Sequence, residues 1–313
     1  MLMSRASLLV LSLVALSFVG CADGEMRCRL GADCPSGLCM SNGACAPSRD
    51  AGMQDAFAAE LPDSALVLGE TGVPMDTGDR TCMPNRDGVV SRAEVPLRPG
   101  LRATFRIGTN AMVSTAGTMS GGTRTWDFSG AYAGDTDSLT ELLEPGANWW
   151  APMFPTATHA ARLSSASDNL GVFQITDDAL LLLGVVSPTS GVTQTRLTYS
   201  PPVTVIAFPL QAGDTFATTS SVSGTALGVL VAYTESYTSV VDASGTLVTP
   251  FGETPALRMR TEMTRTSGIA TLTTLRQFTF VAECFGIAGL VSSNAFETSV
   301  EFTTAAEIRR LAP

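Results

Sequence analysis

The chain has 313 residues and a formal net charge of −10, and all 19 of its basic residues are arginine. The absence of lysine excludes a P-loop, a Schiff-base mechanism and a Ser–Lys hydrolase, since each needs a lysine side chain. The acidic balance predicts no nucleic-acid partner and no electrostatic attraction to anionic lipid. The single histidine, His159, would have to serve any catalytic triad or metal site alone, so we predict no catalytic residues and no cofactor.

Residues 1–20 are predicted to be a signal peptide. An apolar stretch over residues 6–20 follows Arg5 and is too short for a stop-transfer membrane helix. The run Leu-Ser-Phe-Val-Gly-Cys that ends at Cys21 resembles the signal peptide of bacterial lipoproteins, although Phe18 stands where that family prefers Leu. The resemblance implies that Cys21 becomes the mature N-terminus and that its acyl chains bind the lipid bilayer, with the protein in the cell envelope at the outer membrane. Ordinary signal-peptidase cleavage nearby is the alternative.

Residues 21–46 are predicted to form a small disulfide module after the lipidation site. Four cysteines lie close together here, separated by Pro, Gly and Asn, namely Cys28, Cys34, Cys39 and Cys45. A zinc site is disfavoured because there is no Cys-x2-Cys pair and no neighbouring histidine. Three disulfide pairings remain open, of which we favour the interleaved Cys28–Cys39 and Cys34–Cys45. The run from Asp33 to Cys39 resembles modules that follow the lipidation site in lipoproteins of myxobacteria.

Residues 47–81 differ in composition from the rest of the chain. Acidic residues are spread among Gly, Pro and Ala, with almost no aromatic residues. Such a segment does not bury enough apolar surface to fold alone. We therefore predict an acidic, disordered linker that tethers the body of the protein.

Residues 82–313 are predicted to form one β-rich body domain. Apolar and polar residues alternate with period two, as in Leu101–Ile107 and Phe296–Phe302. The segments 224–241 and 268–284 are too long for a compact immunoglobulin-like sandwich, so we predict a large curved antiparallel sheet, a half-barrel or open barrel, with a β-sandwich as the alternative. The two remaining cysteines, Cys82 and Cys284, are predicted to form a long-range disulfide.

Local signals add three finer expectations for the body. Residues 137–144 and 305–311 are the best short candidates for helix. Asp242–Gly245 has the composition of a hairpin turn. Three further segments (126–129, 209–215 and 245–252) are similar to β-rich ectodomains of bacterial surface lipoproteins, a resemblance that implies a β fold and no particular activity.

One segment resembles half of a calcium-binding EF-hand loop. Asn85, Asp87 and Glu94 stand at ligand positions of that loop, around Gly88. However, Met83 occupies the first ligand position and cannot coordinate calcium. We therefore favour a β-turn and predict no metal site.

Two adjacent tryptophans mark the segment in which we place a binding site. Trp149 and Trp150 are flanked by Pro and Gly, which indicates a loop. Adjacent side chains in extended backbone point in opposite directions, so we expect one ring to be buried. The other ring is expected to form a binding rim with Met153 and Phe154, because large rigid aromatics supply contact area at low entropic cost.

The sequence favours a membrane-tethered, non-enzymatic envelope or surface protein that binds another component or has a structural role. The expected partner is an envelope protein, a glycan or an apolar ligand. A carrier or sensor that holds an apolar ligand in a half-barrel cavity is the alternative, and a hydrolase comes third because the chain lacks a Gly-x-Ser-x-Gly motif. A deep apolar cavity would favour the carrier, and a filled core with an exposed patch would favour the binding protein.

Overall fold

The computed structural model describes residues 82–313, and this part of the chain is built almost entirely from β-strands. Within it there is no α-helix, only two three-residue 3-10 helices, Arg92–Glu94 and Ala151–Met153. The strands are β1 (Val89–Val90), β2 (Arg102–Met112), β3 (Thr118–Ser120), β4 (Thr123–Asp127), β5 (Thr136–Glu141), β6 (His159–Ser164), β7 (Ser167–Ile175), β8 (Ala179–Val186), β9 (Arg196–Ala207), β10 (Leu210–Gln211), β11 (Thr215–Ala226), β12 (Val229–Thr249), β13 (Gly252–Ser267), β14 (Ala270–Ala282), β15 (Gly286–Ser293) and β16 (Thr304–Ala312).

Twelve of these strands form one continuous antiparallel sheet that is nearly closed as a barrel. Their order is β5-β2-β16-β15-β14-β13-β12-β11-β9-β8-β7-β6. The two edges of the sheet meet where Leu143, just after β5, and Ala160 in β6 exchange N–H···O bonds of 2.8 and 2.9 Å. Across the barrel, the Ser165 N–H also donates to the Glu307 carboxylate at 2.7 Å. The predicted large curved antiparallel sheet is therefore confirmed, in its open-barrel form.

Consecutive turns alternate between the two ends of the barrel because neighbouring strands are antiparallel. The turns after β12 and β14 lie at the same end as Cys82, where the predicted disulfide to Cys284 is formed with a Cα–Cα distance of 5.5 Å. We call this the disulfide end. Cross-linking a loop of 202 residues contributes about 5 kcal/mol in the chain-entropy model. The connections after β8, β11 and β13 lie at the opposite end.

Both predicted short helices are wrong, because residues 137–141 of the first segment and all of the second lie in strands. Residues 136–141 form β5. The Asp137 carboxylate forms an ion pair with the Arg106 guanidinium on the neighbouring strand, with an N···O distance of 2.8 Å. Residues 304–312 form β16, and its register shifts between the partners of Ala305 and Glu307. The β-bulge this creates places Ala305 and Ile308 in the same core cluster, so their spacing of three imitates a helix.

The predicted hairpin turn at 242–245 is also wrong. These residues lie inside β12, whose register with β13 shifts between Val241 and Ala243. Asp242 is the bulged residue, and its carboxylate pairs with the Arg258 guanidinium at 2.8 Å. Residues of types that are common in turns form a β-bulge here instead of a turn, because β12 pairs with β13 on one side and with β4 on the other.

The inner face of the barrel is packed with side chains from opposite walls. One cluster joins β8 and β9 to β12, β13 and β14, through Leu180 and Ile206 on one side and Leu257, Met259 and Val281 on the other. A second cluster, nearer the end opposite the disulfide, comprises Leu182, Val185, Leu197, Tyr199, Val203 and Val222. Burial of these apolar groups contributes roughly 25 cal/mol per Å².

The outer face of β13–β16 is covered by residues 113–132, which we call the cover segment. Trp126 and Phe128 are fully buried there against Phe280, with ring centroids 5.1 and 5.4 Å away. Two buried arginines of the sheet, Arg258 and Arg310, contact the cover segment. Arg258 lies 4.6 Å from the Phe278 ring, and Arg310 donates to the Phe128 carbonyl at 3.2 Å.

Candidate functional site

A group of highly exposed aliphatic side chains lies at the end of the barrel opposite the disulfide. Leu230 is 83% exposed and Val192 is 95% exposed. Exposed apolar patches of this kind on a protein surface mark interaction sites. We call this surface the apolar end, and its members come from three connections: Val192 from β8–β9, Leu227, Val229 and Leu230 from β11–β12, and Ile269 and Leu272 from β13–β14.

The β11–β12 turn projects from the apolar end for local reasons. It contains two residues, Leu227 and Gly228, with φ of +51° and +80°, the combination that a two-residue hairpin turn requires. A side chain at Gly228 would place its Cβ 2.4 Å from the Val192 carbonyl oxygen. Glycine therefore allows the β8–β9 loop to pack on the turn, where the Gly228 N–H donates to the Gln194 carbonyl at 3.3 Å.

Two segments that lead to the apolar end carry no charged side chains, although the exposed Arg196 of β9 lies opposite Thr225. Residues 215–234 and 266–275 contain no Asp, Glu, Arg, Lys or His, in a chain whose net charge is −10. This surface was not predicted, because strand alternation alone does not say which positions face solvent. The two uncharged runs are the signal that was available in the sequence.

Part of β12 at the apolar end has a partner on one side only. Residues 229–233 pair with residues 222–226 of β11. The ladder between β12 and β13 starts one residue further on, at Thr234 and Thr266. Within residues 82–313, no other strand pairs with the second side of 229–233, which we call the free edge. Unpaired strand edges are the usual template for pairing with another chain.

Three of the four tyrosines of the chain surround one buried glutamate on the inner wall below the apolar end. Glu235 accepts hydrogen bonds from Tyr237 and, at 2.7 Å, from Arg265. The Arg265 guanidinium also lies 4.5 Å over the Tyr233 ring. Burial, followed by the nearby Tyr199 and Glu235, raises the pKa of Tyr237 well above its usual range. The phenol therefore stays protonated and acts as a donor, and we assign this network to holding β9, β12 and β13 together.

The predicted tryptophan loop covers the outer face of β6–β8. Trp150 and Phe154 are buried in a cluster with Ala160, Leu170, Val172, Leu183 and Val186. Trp149 is half-buried, and its indole N–H donates to the Ser187 carbonyl at 3.1 Å. Because Phe154 lies in the core, the accessible part of the predicted rim is formed by Trp149 and Met153. A binding role for these two residues stays a prediction.

The calcium-like segment forms a self-contained turn at the disulfide end. Asp87 accepts hydrogen bonds from the Asn85 amide and the Val89 N–H, at 3.0 and 2.8 Å. Glu94 instead caps a 3-10 helix, where it accepts the Ser91 N–H at 2.8 Å. Among residues 82–313, no three His, Cys, Asp or Glu side chains are arranged to hold a metal ion.

The remaining predicted site residues lie outside the described part of the chain. These are the lipidation residue Cys21 and the module cysteines Cys28, Cys34, Cys39 and Cys45. In the described part, no helix has the length and apolar character needed to cross a membrane.

Comparison with known proteins adds no relative. No protein-family model, curated protein or solved structure matches this chain. The function must therefore be argued from the site itself.

Proposed function

We propose that this protein is a non-enzymatic binding lipoprotein of the bacterial envelope, tethered to the outer membrane by acyl chains on Cys21, and that it binds through the apolar end. One observation carries the proposal. The chain that leads to Cys21 leaves the barrel at the disulfide end, and the uncharged aliphatic surface lies at the other end. A tethered module presents a binding surface best when that surface is remote from its point of attachment.

The packing of the barrel favours this function over a carrier of an apolar ligand. Side chains of β8, β9 and β11–β14 pack together on the inner face, where a carrier would need an empty apolar cavity. A cavity of 160 Å³ lies between Phe251, Phe285 and Leu311, and an open cleft of 300 Å³ lies beside Arg86 and Glu283. Neither exceeds the lower end of the range of about 300–1,000 Å³ that is usual for small-molecule sites.

The environment of His159 supports a function other than hydrolysis. The side chain is buried, its ring is stacked on Phe173 with centroids 5.4 Å apart, and Nδ1 lies 3.0 Å from the Thr158 hydroxyl. A triad histidine must reach the substrate as well as its nucleophile, and the burial of this ring against Phe173 leaves no access for substrate.

The proposal predicts that the apolar end is covered in the cell. Ile269→Cys places a thiol on an exposed turn, and Leu139→Cys places one on β5, where Leu139 is 62% exposed. We expect a membrane-impermeant maleimide to label both variants equally in the purified protein after unfolding in urea. In intact envelopes prepared so that the reagent reaches the protein, labelling at position 269 should fall several-fold relative to position 139. Equal labelling of both positions in envelopes would contradict the proposal, and the wild-type chain gives the background.

A further inference from the structure

We infer that the free edge, residues 229–233, pairs antiparallel with the free edge of a second copy of this chain. The inference rests on the proposed function, since it names the partner of the apolar end. It depends on three properties of β12 at this end: the direction of its backbone groups, the length of the free edge and the absence of charge.

The backbone of the free edge presents hydrogen-bonding groups that lack a strand partner. Because the β11–β12 turn has two residues, Ala226 and Val229 are the hydrogen-bonded pair that closes it. Backbone groups alternate in direction along a strand, so the N–H and C=O groups of Leu230 and Ala232 point away from β11. They face the side that β13 occupies only from Thr234 onward.

The free edge lacks the features that protect exposed strands. Natural edge strands carry charged side chains or proline, or are covered. Residues 229–233 read Val-Leu-Val-Ala-Tyr, with neither charge nor proline. Insertion into a bilayer would leave the N–H and C=O groups of Leu230 and Ala232 without partners in hydrocarbon, which costs several kcal/mol for each group. The occupant that satisfies these groups is another strand.

A second copy fits because the part of β12 that extends beyond β13 can lie beside the same part of another β12 strand. β12 extends beyond the β13 ladder by five residues, and beside them β13 contributes only Ser267 before the Gly268–Ile269 turn. With the pairing centred on Leu230, the backbone groups of the two Leu230 residues meet, and Val229 faces Val231 of the other copy. Each β11–β12 turn then reaches the place where β13 of the other copy ends, next to Ile269.

Other registers are less favourable. A shift by one residue would place side chains of opposite faces beside each other. A shift by two residues towards Glu235 would drive each turn into the β13 strand of the other copy, at Thr266.

The charge distribution also favours association of two copies at this surface. Two chains that each carry a formal charge of −10 repel one another over most approaches. The uncharged runs 215–234 and 266–275 are the surface on which two copies meet without placing like charges in contact.

The test is the mass of the full chain in detergent, measured by light scattering over a range of concentrations. We expect the wild type to dimerise. Leu230→Lys adds a charge at the centre of the pairing, and Ala232→Pro removes an N–H that β11 does not use. Each should weaken dimerisation by about tenfold or more without lowering the melting temperature by more than a few degrees. Leu139→Lys, the same change at an exposed leucine of β5, should dimerise like the wild type.

A second variant tests the register. In the pairing centred on Leu230, the two Cα atoms at this position are about 5.5 Å apart, within disulfide range. Leu230→Cys should therefore form a covalent dimer under mild oxidation, and Leu139→Cys should not. A monomer at every concentration, or a dimer that Leu230→Lys and Ala232→Pro leave intact, would overturn the inference. If such a monomer still showed protection of position 269 in envelopes, the binding function would stand with a different partner, a protein or a membrane.

Discussion

At the scale of single residues, this barrel uses buried polar side chains as structural ties. Arg310 is fully buried, lies 4.5 Å over the Tyr132 ring and pairs with Asp135 at 2.6 Å. Removing one partner of a buried ion pair costs about 3–5 kcal/mol, because the other charge is left uncompensated. Arg102 and Glu141, an exposed pair at 3.0 Å, contribute far less. Arg310 and Arg258 thus tie the cover segment to the sheet through its Phe128 and Thr115 carbonyls.

His159 gives a residue-scale prediction about pH. Burial, with the nearby Arg92 second, lowers its pKa from 6.5 to about 4. The unfolded chain therefore binds a proton between pH 6.5 and 4 that the folded chain does not, so stability falls as the pH falls through this window. The full effect is about 3 kcal/mol, reached near pH 4.

The check is urea unfolding of the wild type and His159→Phe between pH 7 and pH 4. Phenylalanine keeps a ring against Phe173 and removes the titrating group. The loss of stability with falling pH should be smaller in the variant, and the difference isolates His159 from the carboxylates that titrate in the same range. Identical slopes would show that His159 does not stay neutral in the folded protein.

At the scale of elements, the two adjacent tryptophans of the loop differ in burial: Trp150 is fully buried and Trp149 is half-buried. Trp150→Ala should lower the free energy of unfolding by about 3–5 kcal/mol, because it empties a site between Phe154 and β6–β8. Trp149→Ala should cost about 1–2 kcal/mol, for one hydrogen bond to Ser187 and half the buried area. Chemical denaturation measures both, with Trp150→Phe as the control that preserves most of the packing. Equal losses for the two alanine variants would assign the whole loop to the core.

At the scale of the whole molecule, the attachment point and the binding surface that we propose lie at opposite ends of one sheet. The disulfide fixes the first, and the β11–β12 and β13–β14 turns form the second. This arrangement has functional value only if the chain is anchored.

Anchoring is tested by labelling cells with a palmitate analogue. The wild type should be labelled and should fractionate with membranes. Cys21→Ala should lose the label and leave the membrane fraction, since a chain without its acyl groups loses about 0.8 kcal/mol of membrane affinity for each buried CH₂ group. Cys28→Ala, a change at the next cysteine, should keep both the label and the membrane location. Mass spectrometry that finds an unmodified N-terminus downstream of Ala22 would exclude the lipoprotein proposal.

The class of the fold and the long-range disulfide follow from the residues alone. Period-two alternation requires strands, and only two cysteines remain once the N-terminal module and Cys21 are set aside. Residues 242–245 and 305–311 were misassigned, because bulges break the strand period and imitate turns or helices. Residues 137–144, where β5 is fixed by its ladder with β2, were also misassigned. Tertiary structure alone decided that Phe154 is buried, that Leu230 is exposed and that β12 extends beyond β13. Burial and strand register are set by contacts between segments distant in the chain, and alternation within one segment carries no information about which partner covers it.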